Sequence, residues 1–578
     1  MVDHHRERSL FVGSAIPVFV YILYRAASVP LVHDEATSFI AYAQSGRFVP
    51  FASMWDANNH FLSSFFGWLG YKLFGLHLLS LRWASVLSYL VYAWALWSIG
   101  AFVRSVGLRW ALWAGLLLCP FLLDFFALFR GYAPGIACMM VVLQAMLRSM
   151  SDRTGSDLLT LLIAIGLMNT FMLAWLPLGW VLLLVVLPLC WQARRRLFLW
   201  IGVGLLPNML ATALAVHMAK LGLLYHGSTD GFMHVTVQSL LQLVLGATHP
   251  VLGWSVIVIA TVSLGVALKS ALLDHRYRAP LVAIAGAFAL ELILRSSAAG
   301  LFGINHAEDR TALHMLVLSI LLFVFALDEM ALRAKRTKWF AALLLVLPFR
   351  TLSDLNLART MLWPEQSIDA FHVAWARGYA QALGRPLVVG GHRLIGLPWS
   401  LQQRMFHGEC DLNAVAWPSG VHDLRLVDDR YDLRSDSDHV EVPGQGSAGL
   451  RLLVRREPLR THVIKDTTLV LYATGGDIPF HDGSSALYVE MNGTLSSEGK
   501  VCFPRLLTEV LDDRGHVLHS DLVLLETRRE RWSGECWSVM RAVPTETEAQ
   551  GVRIRLYTDP SGASASARAT VRLHSVED

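Results

Sequence analysis

The chain has 578 residues, of which 54% are hydrophobic and 16% are charged. Soluble globular domains carry about 25% charged residues, and the mean hydropathy here is +0.46, so the composition excludes an ordinary soluble protein. The net charge is +4. The basic residues form short clusters between apolar runs rather than one patch, so we expect no nucleic-acid partner.

Apolar runs fill residues 1–353, whereas residues 354–578 have a soluble composition. About eleven of these runs approach the ~20 residues that cross a bilayer. The predicted spans are 10–30, 78–102, 109–128, 132–149, 156–172, 173–191, 197–217, 251–272, 279–295, 311–331 and 338–353. We interpret the first run as an uncleaved helix rather than a signal peptide.

Arginine and lysine clusters occur in alternate loops between these spans. The positive-inside rule makes the clustered side, together with the N-terminus, cytoplasmic. Segments 31–77, 218–250 and 296–310, and the domain 354–578, are then predicted to lie outside. The sequence therefore predicts an α-helical polytopic membrane protein with a C-terminal extracytoplasmic domain.

The first external loop, 31–77, begins with His33-Asp34-Glu35 directly after the first span. Adjacent carboxylates at a membrane surface repel one another and desolvate poorly. They point to a catalytic base or to cation ligands. The alternative is that Asp34 and Glu35 cap the helix that follows them.

A second polar group in this loop contains Asp56, Asn58, Asn59 and His60. Apolar residues then recur at helical spacing from Phe61, a pattern typical of a helix lying in the membrane interface. If the loop folds back along the surface, this group meets Asp34 and Glu35. Glu35, Asp56 and His60 would then be candidate ligands of a divalent cation; the alternative for His60 is a hydrogen-bonding role.

Arg130 and Arg310 lie next to predicted spans on the external side, where the positive-inside rule disfavours arginine. Arg130 lies beside Tyr132 in FRGYAPG, and Arg310 follows His306 in FGINHAEDR. Such groups suit a lipid phosphate in a partly dry site. The alternatives are a snorkelling arginine beside an interfacial tyrosine, and a loop cluster that pairs with itself. Arg25, inside the first span, either faces the lipid phosphate or snorkels outward.

The C-terminal domain begins with helical patterning and one strand, and from about residue 440 it alternates in short runs typical of a β-sandwich. Trp532 and Trp537 flank Cys536, and an external sandwich suggests carbohydrate binding because aromatic faces stack on sugars; the equal alternative is a scaffold that braces the catalytic loops. A Cys502–Cys536 disulfide, leaving Cys410 over, is the preferred pairing, although sequence does not establish connectivity.

Several of these motifs, in this order, resemble the glycosyltransferase-C (GT-C) superfamily. They are the Asp-Glu pair after the first helix, the Asn-His motif before an interfacial helix, LRWASVLSYLVY (Leu81 to Tyr92) and FRGYAPG. The likeness covers roughly residues 10–350 and is to the bacterial branch related to protein O-mannosyltransferases and the lipid A aminoarabinose transferase. One departure is Phe61, where the family motif has proline after histidine.

The resemblance implies an inverting transfer of a sugar from a polyprenyl-phosphate donor to an acceptor hydroxyl on the external face. Asp34 matches the family's base, and Glu35 would orient the acceptor or help to hold Mg²⁺ or Mn²⁺. By the same resemblance, Arg130, Tyr132, Arg310 and His306 would bind the donor phosphate, and Asp56, Asn58, Asn59 and His60 would form an acceptor or loop site. The acceptor would be a glycan, a lipid or a protein at a bacterial inner membrane.

Two other function classes compete with this interpretation. One is a transporter or flippase of lipid-linked saccharides, which commonly has mid-span charges and internal repeats; the sequence shows few such charges and no detectable repeat. The other is a non-catalytic assembly subunit of a cell-envelope glycan pathway. That class predicts that replacing Asp34 leaves function intact.

Overall fold

The structure is a computed structural model of the chain. The residues that it describes are 2–51, 53, 55–152, 157–191, 194–224, 226–273, 279–385, 387–407, 414–416, 421–428, 438–444, 450–480, 486–497, 504–525, 536–545, 549–557 and 565–577. They form two compact units. The first unit contains Met1–Ala27, Trp55–Gly70 and Leu79–Leu357, and the second contains Ser28–Met54, Tyr71–Leu78 and Ala358–Asp578. Each unit is described by itself.

The chain to residue 357 is helical in both units. Its α-helices are α1 (Val2–Ser28), α2 (His33–Ser38), α3 (Phe61–Phe74), α4 (Leu78–Gly100), α5 (Val106–Leu117), α6 (Pro120–Phe126), α7 (Tyr132–Asp152), α8 (Leu158–Phe171), α9 (Leu176–Cys190), α10 (Arg194–Leu199), α11 (Leu206–Lys220), α12 (Gln238–Leu245), α13 (Pro250–Leu272), α14 (Pro280–Phe302), α15 (Leu313–Ala331) and α16 (Val346–Ser353). Short π segments lengthen α2, α11 and α12, and 3₁₀ segments precede α9, α15 and α16.

Seven helical stretches among the described residues are long and apolar enough to cross a membrane. The pair α5 and α6, which bends by 52°, counts as an eighth if it forms one broken span rather than a re-entrant loop. Each of the eleven predicted runs falls on helical backbone. The runs at 156–172, 173–191 and 338–353 correspond to shorter or partly 3₁₀ helices. The multi-pass helical architecture is therefore confirmed. The helix predicted after His60 is α3, and its position in the membrane interface stays a prediction.

The second unit contains a five-stranded sheet covered by α17 (Ala370–Leu383) and α18 (Gly396–His407). Its strands are β1 (Val388–Gly391), β2 (Ala414–Ala416), β3 (Leu424–Val427), β4 (His439–Glu441) and β5 (Arg451–Arg455), in the order β2-β1-β3-β5-β4. The strand β1 is parallel to both neighbours, whereas β5 is antiparallel to both of its neighbours. The chain leaves β1, passes through α18 to β2, and returns to the opposite side of β1 at β3.

Two four-stranded antiparallel sheets complete this unit, and they share one apolar core. The first has the order β10-β9-β12-β7 and the second the order β11-β8-β13-β6. Their strands are β6 (Arg460–Leu471), β7 (Gly476–Pro479), β8 (Ala486–Ser497), β9 (Arg505–Leu511), β10 (Val517–Leu524), β11 (Cys536–Pro544), β12 (Gly551–Tyr557) and β13 (Ala565–Glu577). The sandwich thus begins later than residue 440, because β4 and β5 belong to the first sheet.

The sandwich core corrects one expectation about sugar binding. Trp537 on β11 is 1% exposed and packs between the two sheets. A ring in that position cannot stack on a carbohydrate, because stacking requires an accessible face. Trp532 lies outside the described residues, as do Cys410 and Cys502, so the proposed disulfide stays a prediction.

Candidate functional site

The acidic pair lies in the first turn of the short helix α2, in the second unit. Glu35 is fully buried, and its Oε2 accepts a hydrogen bond from the backbone N of Val32 at 3.1 Å. This is the reciprocal half of a capping box, which satisfies an N–H that the helix itself leaves unpaired. Asp34 is only half-buried. The capping alternative therefore applies to Glu35, and the two carboxylates have different environments.

His33 anchors this helix to the first sheet of the second unit. Its backbone N donates to Oε1 of Gln366 at 2.8 Å. Its ring Nδ1 lies 3.0 Å from the carbonyl oxygen of Leu394, in the turn after β1. A carbonyl only accepts, so Nδ1 carries the proton in this contact. Neither partner was foreseen from the sequence.

In the first unit, Arg130 and Tyr132 meet the Asn-His segment. The Arg130 side chain is 1% exposed, and its guanidinium lies 5.8 Å from the centre of the Tyr132 ring. Its Nη1 lies 3.5 Å from the carbonyl oxygen of Asn58. Arg130 is therefore held in the protein rather than snorkelling, which the sequence had left as the alternative.

His60 packs against the same tyrosine. Its ring lies 5.3 Å from that of Tyr132, and its Nδ1 is 3.0 Å from the carbonyl oxygen of Phe171. Gly131 permits this approach, because a Cβ there would lie 2.2 Å from the same carbonyl oxygen and 3.0 Å from His60. Two sequence motifs that are about 70 residues apart thus form one cluster.

Asp56, Asn58 and Asn59 shape the turn that leads into α3. Oδ1 of Asp56 accepts from the backbone N of Asn58 at 2.8 Å, an Asx-type turn. Oδ1 of Asn59 accepts from the hydroxyl of Ser64 at 2.9 Å. These contacts fix the turn locally. Because this turn belongs to the first unit and Asp34 to the second, the predicted meeting of the two polar groups stays a prediction.

His306 and Arg310 lie on the segment between α14 and α15, also in the first unit. The backbone N of His306 donates to Ser228, and Thr236 donates to the carbonyl oxygen of Ala307 at 2.6 Å. Burial of the imidazole and the positive charge of Arg295 lower the pKa of His306. At neutral pH the ring is therefore an uncharged hydrogen-bonding group rather than a cation.

The backbone beside Arg310 adopts an unusual conformation. Asp309 has a φ of 50°, in the left-handed region that non-glycine residues seldom adopt. Its N–H bonds the hydroxyl of Ser239 at 2.9 Å, while Glu308 and Thr311 form a capping box. Residues of the predicted external loop 218–250 thus pack on this segment, and Arg310 follows a strained turn.

The spans also contain buried charges that the sequence reading missed. Glu291 on α14 accepts from Nε of Arg295 at 2.5 Å and lies 3.0 Å from Nε2 of His314 on α15. Arg295 also donates to the carbonyl oxygen of Ala174 at 2.8 Å. The expectation of few charges deep in the spans is therefore wrong. The signal was present as Glu291 and Arg295, four residues apart in one apolar run.

Arg25 is the second such case. Its Nη2 bonds and pairs with the buried carboxylate of Asp124, and its Nη1 donates to the carbonyl oxygen of Asn356 at 2.6 Å. This settles the alternatives left open for Arg25, because the side chain neither snorkels nor serves as an unencumbered phosphate ligand. It links α1, α6 and the segment after α16.

No ready-made cation site is present in the described part of the chain, since no group of three or more His, Cys, Asp or Glu side chains there could hold a metal ion. Of the three candidate ligands, Glu35 caps α2, Asp56 caps a turn, and Nδ1 of His60 contacts a carbonyl. Each of the three thus has a local contact of its own, and the predicted cation dependence stays a prediction.

Comparison with known proteins gives structural neighbours only. No family model matches the chain, and no curated protein sequence matches it. The structure is similar to the arabinosyltransferase EmbB of Mycobacterium smegmatis, with a TM-score of 0.36 and 11% identity over 98% of this chain and 64% of EmbB. The chain thus spans less than two thirds of the length of EmbB.

ArnT of Cupriavidus metallidurans is similar in two solved states. The apo structure gives a TM-score of 0.35 and 14% identity over 78% of this chain and 98% of ArnT. The structure bound to undecaprenyl phosphate gives a TM-score of 0.36 and 18% identity over 69% of this chain and 74% of ArnT. EmbB and ArnT are both GT-C proteins. All three TM-scores lie below 0.5, so the function of this chain is argued from its own residues.

Proposed function

We propose that this protein is a membrane glycosyltransferase that moves a sugar from a polyprenyl-phosphate donor to an acceptor hydroxyl with inversion. Asp34 is the general base, and Arg130 and Tyr132 bind the donor phosphate, with Arg310 and His306 as further phosphate ligands. Asp56, Asn58, Asn59 and His60 shape the acceptor side. The reaction takes place on the extracytoplasmic face of a bacterial inner membrane, where the C-terminal domain also lies.

The observation that carries this proposal is the difference between the two adjacent carboxylates. Glu35 is buried and engaged in capping α2, whereas Asp34 is half-buried one residue earlier. A general base must reach the proton of a bound hydroxyl. We assign this role to Asp34, the less buried residue of the pair, while its neighbour Glu35 caps the helix on which Asp34 sits.

The chemistry follows from these assignments. As the anomeric C–O bond to phosphate breaks, the acceptor oxygen bonds to the anomeric carbon from the opposite face and its proton passes to Asp34. The leaving phosphate gains negative charge, which a buried guanidinium stabilises more strongly than an exposed one because its surroundings are less polar. Arg130 is such a guanidinium. His306, uncharged at neutral pH, contributes a hydrogen bond.

The test is transfer of label by the full-length chain in liposomes. The donors are labelled undecaprenyl-phosphate sugars, and cell-envelope lipids and glycans are the acceptors. We expect Asp34→Asn to lower kcat by roughly 100- to 10,000-fold, the usual contribution of a general base. Glu35→Gln should retain most of the activity, because the amide oxygen still accepts from Val32.

Asp466→Asn is the matched control, since this carboxylate is exposed on β6 and pairs with Arg572 at 2.8 Å. Undiminished transfer by Asp34→Asn would exclude Asp34 as the base and favour a non-catalytic subunit. Repeating the wild-type assay with EDTA and then with added Mg²⁺ or Mn²⁺ tests the predicted cation dependence.

A transporter or flippase is the second candidate, and the buried Glu291–Arg295–His314 group favours it. Ionisable side chains within spans commonly mark transport or proton pathways. A transporter would move a fluorescent undecaprenyl-phosphate sugar across the liposome membrane without consuming it, and Glu291→Gln would stop that movement while Asp34→Asn would not.

A further inference from the structure

The short helix that carries Asp34 is held by residues far along the chain. Gln366, 333 residues after His33, accepts the backbone N–H of His33 at 2.8 Å. Leu394, 361 residues after His33, accepts its ring N–H at 3.0 Å. Both contacts act on the residue directly before Asp34, and both lie within the second unit.

The Gln366 contact replaces a bond that the helix cannot make for itself. The first N–H groups of a helix have no partner inside it, and Glu35 satisfies that of Val32. Gln366 satisfies the next one. It is 3% exposed and lies in a 3₁₀ turn (Pro364–Gln366) whose backbone bonds Trp363 at 3.0 Å. A buried acceptor on a rigid turn leaves little freedom to the group that it holds.

The Leu394 contact occurs at a particular place in the first sheet. Leu394 follows the carboxyl end of β1, and β1 lies between β2 and β3 where the direction of the strand connections reverses. Open α/β sheets usually bind ligands at this position. In this protein, the turn there contacts His33 of α2 instead.

We propose that Gln366 and the turn after β1 are positioning elements for the base, an inference that rests on the proposed function of Asp34. They fix the backbone and ring of His33 and thereby the direction of the Asp34 carboxylate. The C-terminal domain then contributes to catalysis by positioning the base, and its role is not limited to carbohydrate binding. A misplacement of about 1 Å at a reacting group lowers the rate roughly 100-fold.

The test uses Gln366→Met, which removes the acceptor at similar length. In the liposome assay with labelled undecaprenyl-phosphate sugar, Gln366→Met should lower kcat roughly 10- to 100-fold and change the donor KM by less than about twofold.

Gln402→Met is the matched control for loss of a buried glutamine. Gln402 is 1% exposed, and in the described part of the chain its Oε1 has no hydrogen-bond partner. His33 offers an independent pair, because the amide of His33→Asn can replace the Nδ1–H that His33→Ala lacks. His33→Asn should therefore keep more activity than His33→Ala.

Two results overturn the inference. One is a kcat of Gln366→Met equal to that of Gln402→Met, and the other is equal loss in His33→Asn and His33→Ala, which would mean that the ring N–H contact with Leu394 is irrelevant. Asp34→Asn in the same assay separates the two proposals. If Asp34→Asn is inactive while Gln366→Met is normal, only the positioning role fails; if Asp34→Asn is active, the proposed base fails.

Discussion

At the scale of single residues, the Asp34–Glu35 pair shows what a local pattern can and cannot predict. A carboxylate at the third position of a helix is a common reciprocal cap, so capping was predictable, and the structure assigns it to Glu35. The contact from Gln366 was not predictable. It depends on the position of a turn 333 residues further along the chain, and the residue pattern around His33 or around Gln366 does not predict that position.

Gly131 provides a test of the cluster around Arg130. Its Cα faces the Phe171 carbonyl oxygen and the His60 ring, and an added Cβ would lie 2.2 Å from the former. Backbone cannot yield as a flexible side chain does, so we expect Gly131→Ala to cost about 1–3 kcal/mol of stability. Thermal unfolding of the detergent-solubilised protein measures this change.

Gly166→Ala is the control, because an added Cβ there meets no atom within 4 Å. Equal melting temperatures for the two variants would contradict the packing described around Gly131.

At the scale of elements, the break between α5 and α6 explains why a single predicted span is bent. Pro120 begins α6 and cannot donate a backbone hydrogen bond to continue α5. Two carbonyl groups near the break accept hydrogen bonds from side chains instead. Tyr92 donates to Leu116 at 2.9 Å and Thr351 to Leu118 at 2.6 Å. Side chains of other helices thus permit the break, as the absence of water in a bilayer requires.

The ion pair between Arg25 and Asp124 tests how the first span is held. Both side chains are 1% exposed, so removing one leaves the other charge buried without its ion-pair partner. Arg25→Ala should therefore destabilise the protein by about 3–5 kcal/mol. The double variant Arg25→Met with Asp124→Leu should lose less, because it leaves neither charge behind.

Steric-trap or denaturant unfolding in detergent measures the free energy of unfolding of Arg25→Ala and of the double variant. A double variant that is less stable than Arg25→Ala would show that the pair contributes through its shape rather than through its charges.

At the scale of the whole molecule, the change of composition near residue 353 correctly predicted a membrane part and a C-terminal α+β and β-sandwich part. It did not predict that the second unit also includes Ser28–Met54 and Tyr71–Leu78. These segments come from the predicted first external loop and are separated from their partners by more than 300 residues. Composition averages along the chain, so it cannot reveal a unit assembled from three pieces.

Residues 358–578 expressed alone should therefore lack part of their own unit. We expect amide hydrogens in α18 to exchange faster in this fragment than in the full-length protein. In the full-length protein α18 packs against α2, and Arg404 donates a hydrogen bond to Gln44. Strands β9 and β12 lie within the sandwich and serve as the internal reference. Unchanged exchange in α18 would indicate that the N-terminal segments contribute nothing to this unit.

The distance in sequence between His33 and Gln366 also sets an order of events during synthesis. At about 5–20 residues per second, Gln366 is made roughly 17–67 s after His33. For that interval the helix that carries Asp34 lacks the acceptor for its first turn. If Gln366 positions Asp34 as proposed, the carboxylate reaches its final orientation only when nearly two thirds of the chain has been completed, and an unfinished polypeptide has the acidic motif without its positioning contact.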